Sequence, residues 1–214
     1  MLAICVPVGN GSITVETTQT LLALQRDFDR RGIYTTTLFH EGSHVDRVRN
    51  ELSARFMETT NEYSLWLDSD ISSFDIVPFV CRVLERRIPL AAAPYRTKQD
   101  RVNVNVNYQQ GQNIDNDGFL RVKEAGAGCM MIHRSVFEAL QTPERAYHGH
   151  PNTPVKGPLY DYWSSGIQTD SDGVRRYISE DYAFCRSARR AGYDLLLDTT
   201  VILGHTGKKT WVLE

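Results

Sequence analysis

Cysteine is scarce in this chain of 214 residues, and none of it is paired along the sequence: Cys5, Cys81, Cys129 and Cys185 are scattered, with no C-x-x-C spacing. That argues against a disulfide framework or a zinc site and for buried thiols in a reducing compartment. A surplus of positive charge is missing too. Lys and Arg number 24 against 26 Asp and Glu, a formal net charge of −2 with a pI near 6.3. A broad electrostatic footprint for nucleic acid needs a basic face, so no nucleic-acid partner is expected, although a local basic pocket for phosphates remains open. No apolar run approaches the length of a membrane span. The N-terminal run over residues 1–8 has no basic leader and no signal-length core. Internal repeats, linkers and low-complexity segments are absent as well. These absences point to a cytoplasmic protein, a monomer, built as one compact domain over residues 1–214.

What is present is alternation. Residues 2–8 read as a buried strand, 17–31 as a helix with Leu21, Leu24 and Phe28 on one stripe and Gly32 as its stop. Residues 33–39 are β-rich, and Ser43 is placed to cap a helix in which Val45, Val48, Leu52 and Phe56 recur at helical spacing. A strand over 63–67, a helix over 79–86 with Pro78 in its first turn, and a strand over 89–93 follow. Such alternation predicts a mostly parallel sheet between helices, with ligands at the carboxyl ends of its strands. The second half reads differently. Val102, Val104 and Val106 alternate with asparagines as in a half-exposed strand, and 119–123 and 129–133 read as strands around the turn over 125–128. Residues 141–173 have little periodicity, as functional loops often do. A helix then starts at the cap Ser179, with Glu180 and Asp181 in its first turn, Arg189 and Arg190 in its last, and Gly192 beyond.

Two segments carry chemistry. Leu65-Trp66-Leu67 ends in Asp68-Ser69-Asp70, and strand residues two apart share a face. Two carboxylates held together repel unless a cation or a strong donor sits between them, and hard divalent cations prefer oxygen. An ordinary acidic turn after a strand is the competing reading. The second segment, Gly204-His205-Thr206-Gly207-Lys208-Lys209-Thr210-Trp211, follows a strand predicted over 195–203. Imidazole is a good ligand for manganese, Gly207 lets a backbone N–H approach a phosphate, and Lys208 or Lys209 can supply charge to a diphosphate. A plain basic tail is the alternative there. Glu180 and Asp181 are either favourable charges at a helix start or a sugar-facing acid–base or ion-pair group.

Together these segments resemble the GT-A class of glycosyltransferases. Its members carry an Asp-x-Asp motif at a strand end, and several metal-dependent branches end in a His-x-x-Gly-x-x-Lys-Pro-Trp type element, here shortened and without the proline. Glu124-Ala125-Gly126-Ala127-Gly128 resembles the class's Gly-rich turn beside the donor sugar, and Arg49-Asn50 a nucleotide-contacting pair. Within the class the chain is most similar to glycosyltransferase domains of chlorovirus proteins that build capsid glycans. That would place it in the host cytoplasm and leaves room for its being one domain of a longer protein.

The resemblance implies an α/β GT-A fold: a Rossmann-like nucleotide-binding sheet, mostly parallel and flanked by helices, with a smaller mixed or antiparallel acceptor-side part. Residues 1–100 would form the nucleotide-binding half and 101–214 the donor-sugar and acceptor half. It implies a hexosyltransferase moving a sugar from UDP-glucose or UDP-rhamnose to a glycan acceptor, with retention, using Mn2+ or Mg2+. By the same resemblance Asp70, Asp68 and His205 are the metal ligands. Val6, Pro7, Gly9, Arg49, Asp68, Ser69, Gly207, Lys208 and Lys209 contact the nucleotide and diphosphate. Glu180 and Asp181 are catalytic, and Ala127, Gly128 and Arg96 lie near the donor sugar. The aromatic stretch over 147–163 is the candidate acceptor surface. Two other classes compete. A sugar nucleotidyltransferase combines the same fold and metal, but Gly9-Asn10-Gly11-Ser12 lacks the following Arg and Lys of the sugar pyrophosphorylase loop. A metal-dependent carbohydrate-binding module would bind glycans without nucleotide.

Overall fold

The computed structural model of the chain describes residues 1–214 except 10, 74, 150–152, 154, 156, 171, 208, 209, 213 and 214, with only the backbone at 210 and 211. In chain order the elements are β1 (Leu2–Val8), α1 (Val15–Arg30), β2 (Thr35–Glu41), α2 (Val45–Glu58), β3 (Tyr63–Leu67), β4 (Ile71–Ser72), α3 (Ile76–Glu85) and β5 (Leu90–Ala92). The second half adds β6 (Val106–Tyr108), β7 (Phe119–Ala125), β8 (Cys129–His133) and α4 (Arg134–Leu140). Two hairpins follow, β9 (Ala146–His148) with β10 (Pro158–Tyr160) and β11 (Gly166–Thr169) with β12 (Arg175–Ile178). The chain closes with α5 (Glu180–Arg190), β13 (Leu195–Asp198), β14 (Gly204–Thr206) and β15 (Thr210–Val212).

One eight-stranded sheet, ordered β2-β1-β3-β8-β5-β13-β7-β6, runs through the molecule. The pairs β1–β2, β1–β3 and β5–β13 are parallel, and β7 and β8 run against their neighbours, so six of the eight strands share one direction. The mostly parallel α/β sheet expected from the sequence is therefore the one observed. The two halves of the chain share it, because β8 inserts between β3 and β5, and β13 pairs with β5.

Burial on both faces explains why the central strands β1, β3 and β5 are apolar at nearly every position. Ala3 and Cys5 of β1 join a core with Leu52 and Phe56 of α2, Phe137 of α4 and Phe184 of α5. Leu2, Ile4 and Val6 face the opposite core, with Leu24 and Phe28 of α1 and Phe79 and Val83 of α3. Helices thus cover both faces. Cys5, Cys129 and Cys185 are buried free thiols, as their scatter predicted, and Cys81 is half-buried. No helix among the described residues is long and apolar enough to cross a membrane.

Several local expectations need correction. α1 starts two residues early because Thr14, not a later residue, caps it, accepting from the Thr17 N–H at 3.2 Å. The residue at the start of α2 is His44 rather than Ser43, and no side chain caps that end. Ser179 does precede α5, but its hydroxyl is turned to the Asp181 carboxylate instead of capping the backbone. The strand expected over 195–203 stops at Asp198. That buried carboxylate pairs with Arg82 at 2.5 Å and accepts from the Thr200 N–H at 2.9 Å, a local turn that breaks the ladder. His205 consequently lies on a separate strand, β14. The valines at 102–106 mostly belong to a loop, with an isolated bridge at Arg96–Val104 before β6.

Candidate active site

β3 carries the chain to Asp68 at the carboxyl end of the sheet. The Asp68 N–H donates to the Gly128 carbonyl at 3.0 Å, and the Ile71 N–H returns to the Asp68 carbonyl at 3.1 Å. The resulting tight turn holds Asp70 and starts β4. β4 then pairs antiparallel with β14, placing His205 opposite Ile71, while the Thr206 N–H donates to the Asp70 carbonyl at 2.8 Å. This small second sheet is what brings the two sequence motifs together.

The geometry of His205 is informative. Its Nδ1 lies 2.8 Å from the Arg96 carbonyl oxygen, which can only accept, so Nδ1 carries a proton. Nε2 faces Asp70 Oδ1 at 3.5 Å: as an imidazolium it pairs with that carboxylate, and in the neutral ring it presents a lone pair there. Two acceptors aimed at each other across that gap suit a cation between them, and the carbonyl behind Nδ1 is the usual orienting partner of a metal-bound imidazole. One imidazole and one carboxylate would suit Mn2+, and Mg2+ less well because it prefers oxygen ligands. Among the described residues no three His, Cys, Asp or Glu side chains gather into a cage, so the protein's own share of such a site is small.

The other Asp70 oxygen, Oδ2, forms an ion pair with Lys98, a residue that sequence reasoning passed over. The available signal was its place in the loop after β5, at the same sheet end as Asp68. Burial opposes the ionised form of Asp70, but His205 and Lys98 together outweigh it and hold the carboxyl below the usual range.

Asp68 is held from the other side. Arg49 of α2, buried between the Trp66 and Trp163 rings at 5.8 and 5.3 Å, donates from Nη2 to Asp68 Oδ1 at 2.8 Å and from Nε to Glu180 at 3.4 Å. Arg49 thus positions Asp68 rather than reaching into open space; its Nη1 is buried without a hydrogen-bond partner among the described residues. Burial raises the Asp68 carboxyl, with Asp70 and Asp181 adding to the effect beyond what Arg49 offsets. Glu180 is raised likewise, by burial first and then Asp181.

Asp181 is 7% exposed and fully engaged: Oδ1 accepts from the Ser179 hydroxyl and from the Tyr182 N–H at 2.7 Å, Oδ2 from the Asn105 amide at 3.3 Å. Tyr182 closes this ring by donating its hydroxyl to Asn105 at 2.6 Å. Of the two acidic residues, Glu180 is the one that shares a cation with Asp68.

A cleft of about 250 Å³ opens beside the acidic pair, lined by Pro7 and Gly9 from the end of β1, Gly42 and Ser43 before α2, and Asp68, Ser69 and Asp70. Val6 lies fully buried beneath it. The structure brings Pro7, Gly9, Asp68, Ser69, Asp70 and His205 to one sheet end. Gly207 is exposed just past β14, and Lys208 and Lys209 lie outside the described residues. Ala127 and Gly128 are buried; a Cβ on Gly128 would stand 2.9 Å from the Tyr95 ring and 3.1 Å from Ile71, so this glycine makes room for Tyr95. Tyr95 in turn meets the His205 ring edge-on at 5.2 Å. Arg96 turns Nη2 to the Asp100 carbonyl at 2.8 Å and serves His205 through its own backbone.

The aromatic stretch over 147–163 divides. Tyr162 and Trp163 are core residues, Trp163 stacked on Phe184 at 4.1 Å, so neither is a surface for sugar. Asn50, taken from sequence with Arg49 as a nucleotide contact, instead locks this stretch: its carbonyl accepts from the Tyr162 and Trp163 N–H groups at 2.9 and 3.1 Å.

No protein-family model and no curated protein matches the chain. Among solved structures it is similar to A197 from STIV, with a TM-score of 0.57 and 17% identity over 96% of this chain and 85% of that one. It also aligns with a UDP-glucose pyrophosphorylase complexed with UDP-glucose (TM-score 0.46, 10% identity, 98% and 74% of the two chains). A glycosyltransferase involved in glycosylation of the major capsid of PBCV-1 aligns more weakly (TM-score 0.33, 13% identity, 64% and 61%). The first likeness shows a shared fold; the other two are too distant to carry an argument.

Proposed function

We propose that this chain is a glycosyltransferase that uses a nucleoside-diphosphate sugar, with a UDP-sugar as donor and a glycan as acceptor. The observation that carries the reading is the meeting of Asp70, in the turn before β4, and His205, on the paired strand β14, as a two-acceptor seat beside the cleft that Asp70 lines. Asp70 and His205 would hold Mn2+ or Mg2+, with Asp68 beside them, and the bound ion would supply Lewis-acid stabilisation to the departing diphosphate. The cleft accommodates the nucleoside between the end of β1 and the start of α2. Arg49 fixes Asp68 for a ribose hydroxyl. Glu180 is the carboxylate we assign to the sugar, since Asp181 has both oxygens occupied by Ser179, Tyr182 and Asn105. UDP-glucose and UDP-rhamnose are the donors to try first, and retention is the outcome expected from the tail. The test is manganese-dependent release of sugar from UDP-sugars. Asp70→Ala should abolish it, by about 10²-fold or more; unchanged turnover in that variant sinks the assignment. Pyrophosphate release from a nucleoside triphosphate and a sugar phosphate would instead identify a nucleotidyltransferase.

A further inference from the structure

Lys98 and His205 divide the two oxygens of Asp70 between them. Nζ of Lys98 pairs with Oδ2, and Nε2 of His205 faces Oδ1 at 3.5 Å. Both arrangements are tied to one loop. Arg96, at its entrance, orients His205 through its carbonyl, and the bridge Arg96–Val104 and the Thr97 N–H to Asn103 bond at 2.8 Å close its base. Residues 98–103 between them are exposed. One exposed loop therefore both aims a cation ligand and inserts a cation of its own against the same carboxylate.

On the reading proposed above, we infer that Lys98 is a resident counter-cation that competes with the divalent ion for Asp70 and transfers to the diphosphate when nucleotide binds. An ammonium and a divalent ion on one carboxylate repel each other, so Lys98 leaves Oδ2 as the ion is taken up. A half-exposed Lys–Asp pair is weak enough to exchange, and the lysine stem is long and flexible enough to carry its charge elsewhere. The phosphates of a nucleoside diphosphate offer that next partner. Metal and nucleotide thereby favour each other, and the coupling must be reciprocal.

The experiment measures Mn2+ binding by the loss of the free-ion electron paramagnetic resonance signal, with and without UDP, in the wild type, Lys98→Met, Lys98→Arg and Asp70→Asn. Without UDP, Lys98→Met should bind Mn2+ roughly two- to fivefold more tightly than the wild type, the scale of one half-exposed ion pair, and Lys98→Arg should not. The tightening that UDP confers on Mn2+ binding should shrink in Lys98→Met. Equal Mn2+ affinities in the wild type and Lys98→Met, with binding lost in Asp70→Asn, would overturn the role of Lys98 while leaving the site reading intact. Full binding in Asp70→Asn would overturn the site reading and the proposal with it.

Discussion

Arg49 and Asp68 meet at 2.8 Å, the guanidinium of a buried α2 residue against the first carboxylate of the acidic pair. The same cation reaches Glu180 at 3.4 Å, so helix α5 and the end of β3 are joined through one side chain. Removing it should leave buried carboxylates uncompensated, and Arg49→Met is expected to cost about 3–5 kcal/mol of stability. The loss should depend on pH. Burial already raises Asp68 and Glu180, and without Arg49 both rise further. A carboxyl raised in the folded state contributes stability at low pH that is lost as pH climbs through its folded value. The difference between variant and wild type should therefore be larger at pH 8 than at pH 5 in urea denaturation; equal losses at both would contradict the pairing.

Asn50 offers a purely structural prediction. It accepts from two buried N–H groups, those of Tyr162 and Trp163, and donates to Asp161 at 3.0 Å. Each buried donor left unpaired costs about 1–3 kcal/mol, so Asn50→Ala, which strands two, should lose about 2–6 kcal/mol. Hydrogen exchange at the two amides should accelerate more than at β3, and protection unchanged at both would count against the lock.

Much of this architecture was legible in the sequence, and the parts that were not share a cause. β1 and β3 announce themselves through buried runs and α5 through its charged ends and stop glycine, while Asp68-Ser69-Asp70 gains its meaning beside the later His205 segment. What periodicity cannot show is a partner far along the chain. The pairing of β4 with β14 makes His205 a neighbour of Asp70, yet each strand is too short to register as a pattern. Lys98 looks like any loop lysine until the fold folds its loop over the acidic turn. Asn50 was misread for a related reason: adjacent helix residues point in different directions, so Arg49 reaches the site while Asn50 faces the aromatic loop. Tyr162 and Trp163 sit in a stretch without periodicity, where nothing local separates a sugar platform from an anchor.

Gly126 tests how the site is supported. A Cβ there would stand 2.2 Å from the Tyr95 hydroxyl and 2.3 Å from the Asn105 amide. Asn105 links Tyr95 to Asp181, and Tyr95 carries the His205 ring on its edge. Overpacking of this kind typically costs about 1–3 kcal/mol, so Gly126→Ala should lower the melting temperature. On the proposed reading it should also weaken Mn2+ binding, because displacing Tyr95 disturbs the ring that packs on His205. A stable variant with unaltered Mn2+ affinity would show that Tyr95 does not set the position of His205.

Asp70 gives the prediction with the sharpest sign. Burial alone would raise its carboxyl, and His205 and Lys98 hold it below the usual range instead. Removing either partner should therefore move the Asp70 titration upward, and Lys98→Met and His205→Ala together should carry it above the ordinary carboxylate value of about 3.9. Carbon-detected NMR of the aspartate carboxyls measures this directly. The linkage follows in the same direction. A carboxyl lowered in the folded state contributes stability above its unfolded pKa, and that contribution is lost as pH falls through the folded value. Acid unfolding of the wild type should draw on Asp70 only below the ordinary aspartate range. In the double variant this contribution should change sign, because burial is then the dominant influence left on the carboxyl. An Asp70 titration that stays put in both single variants would remove the electrostatic link between the acidic turn and the two side chains that face it.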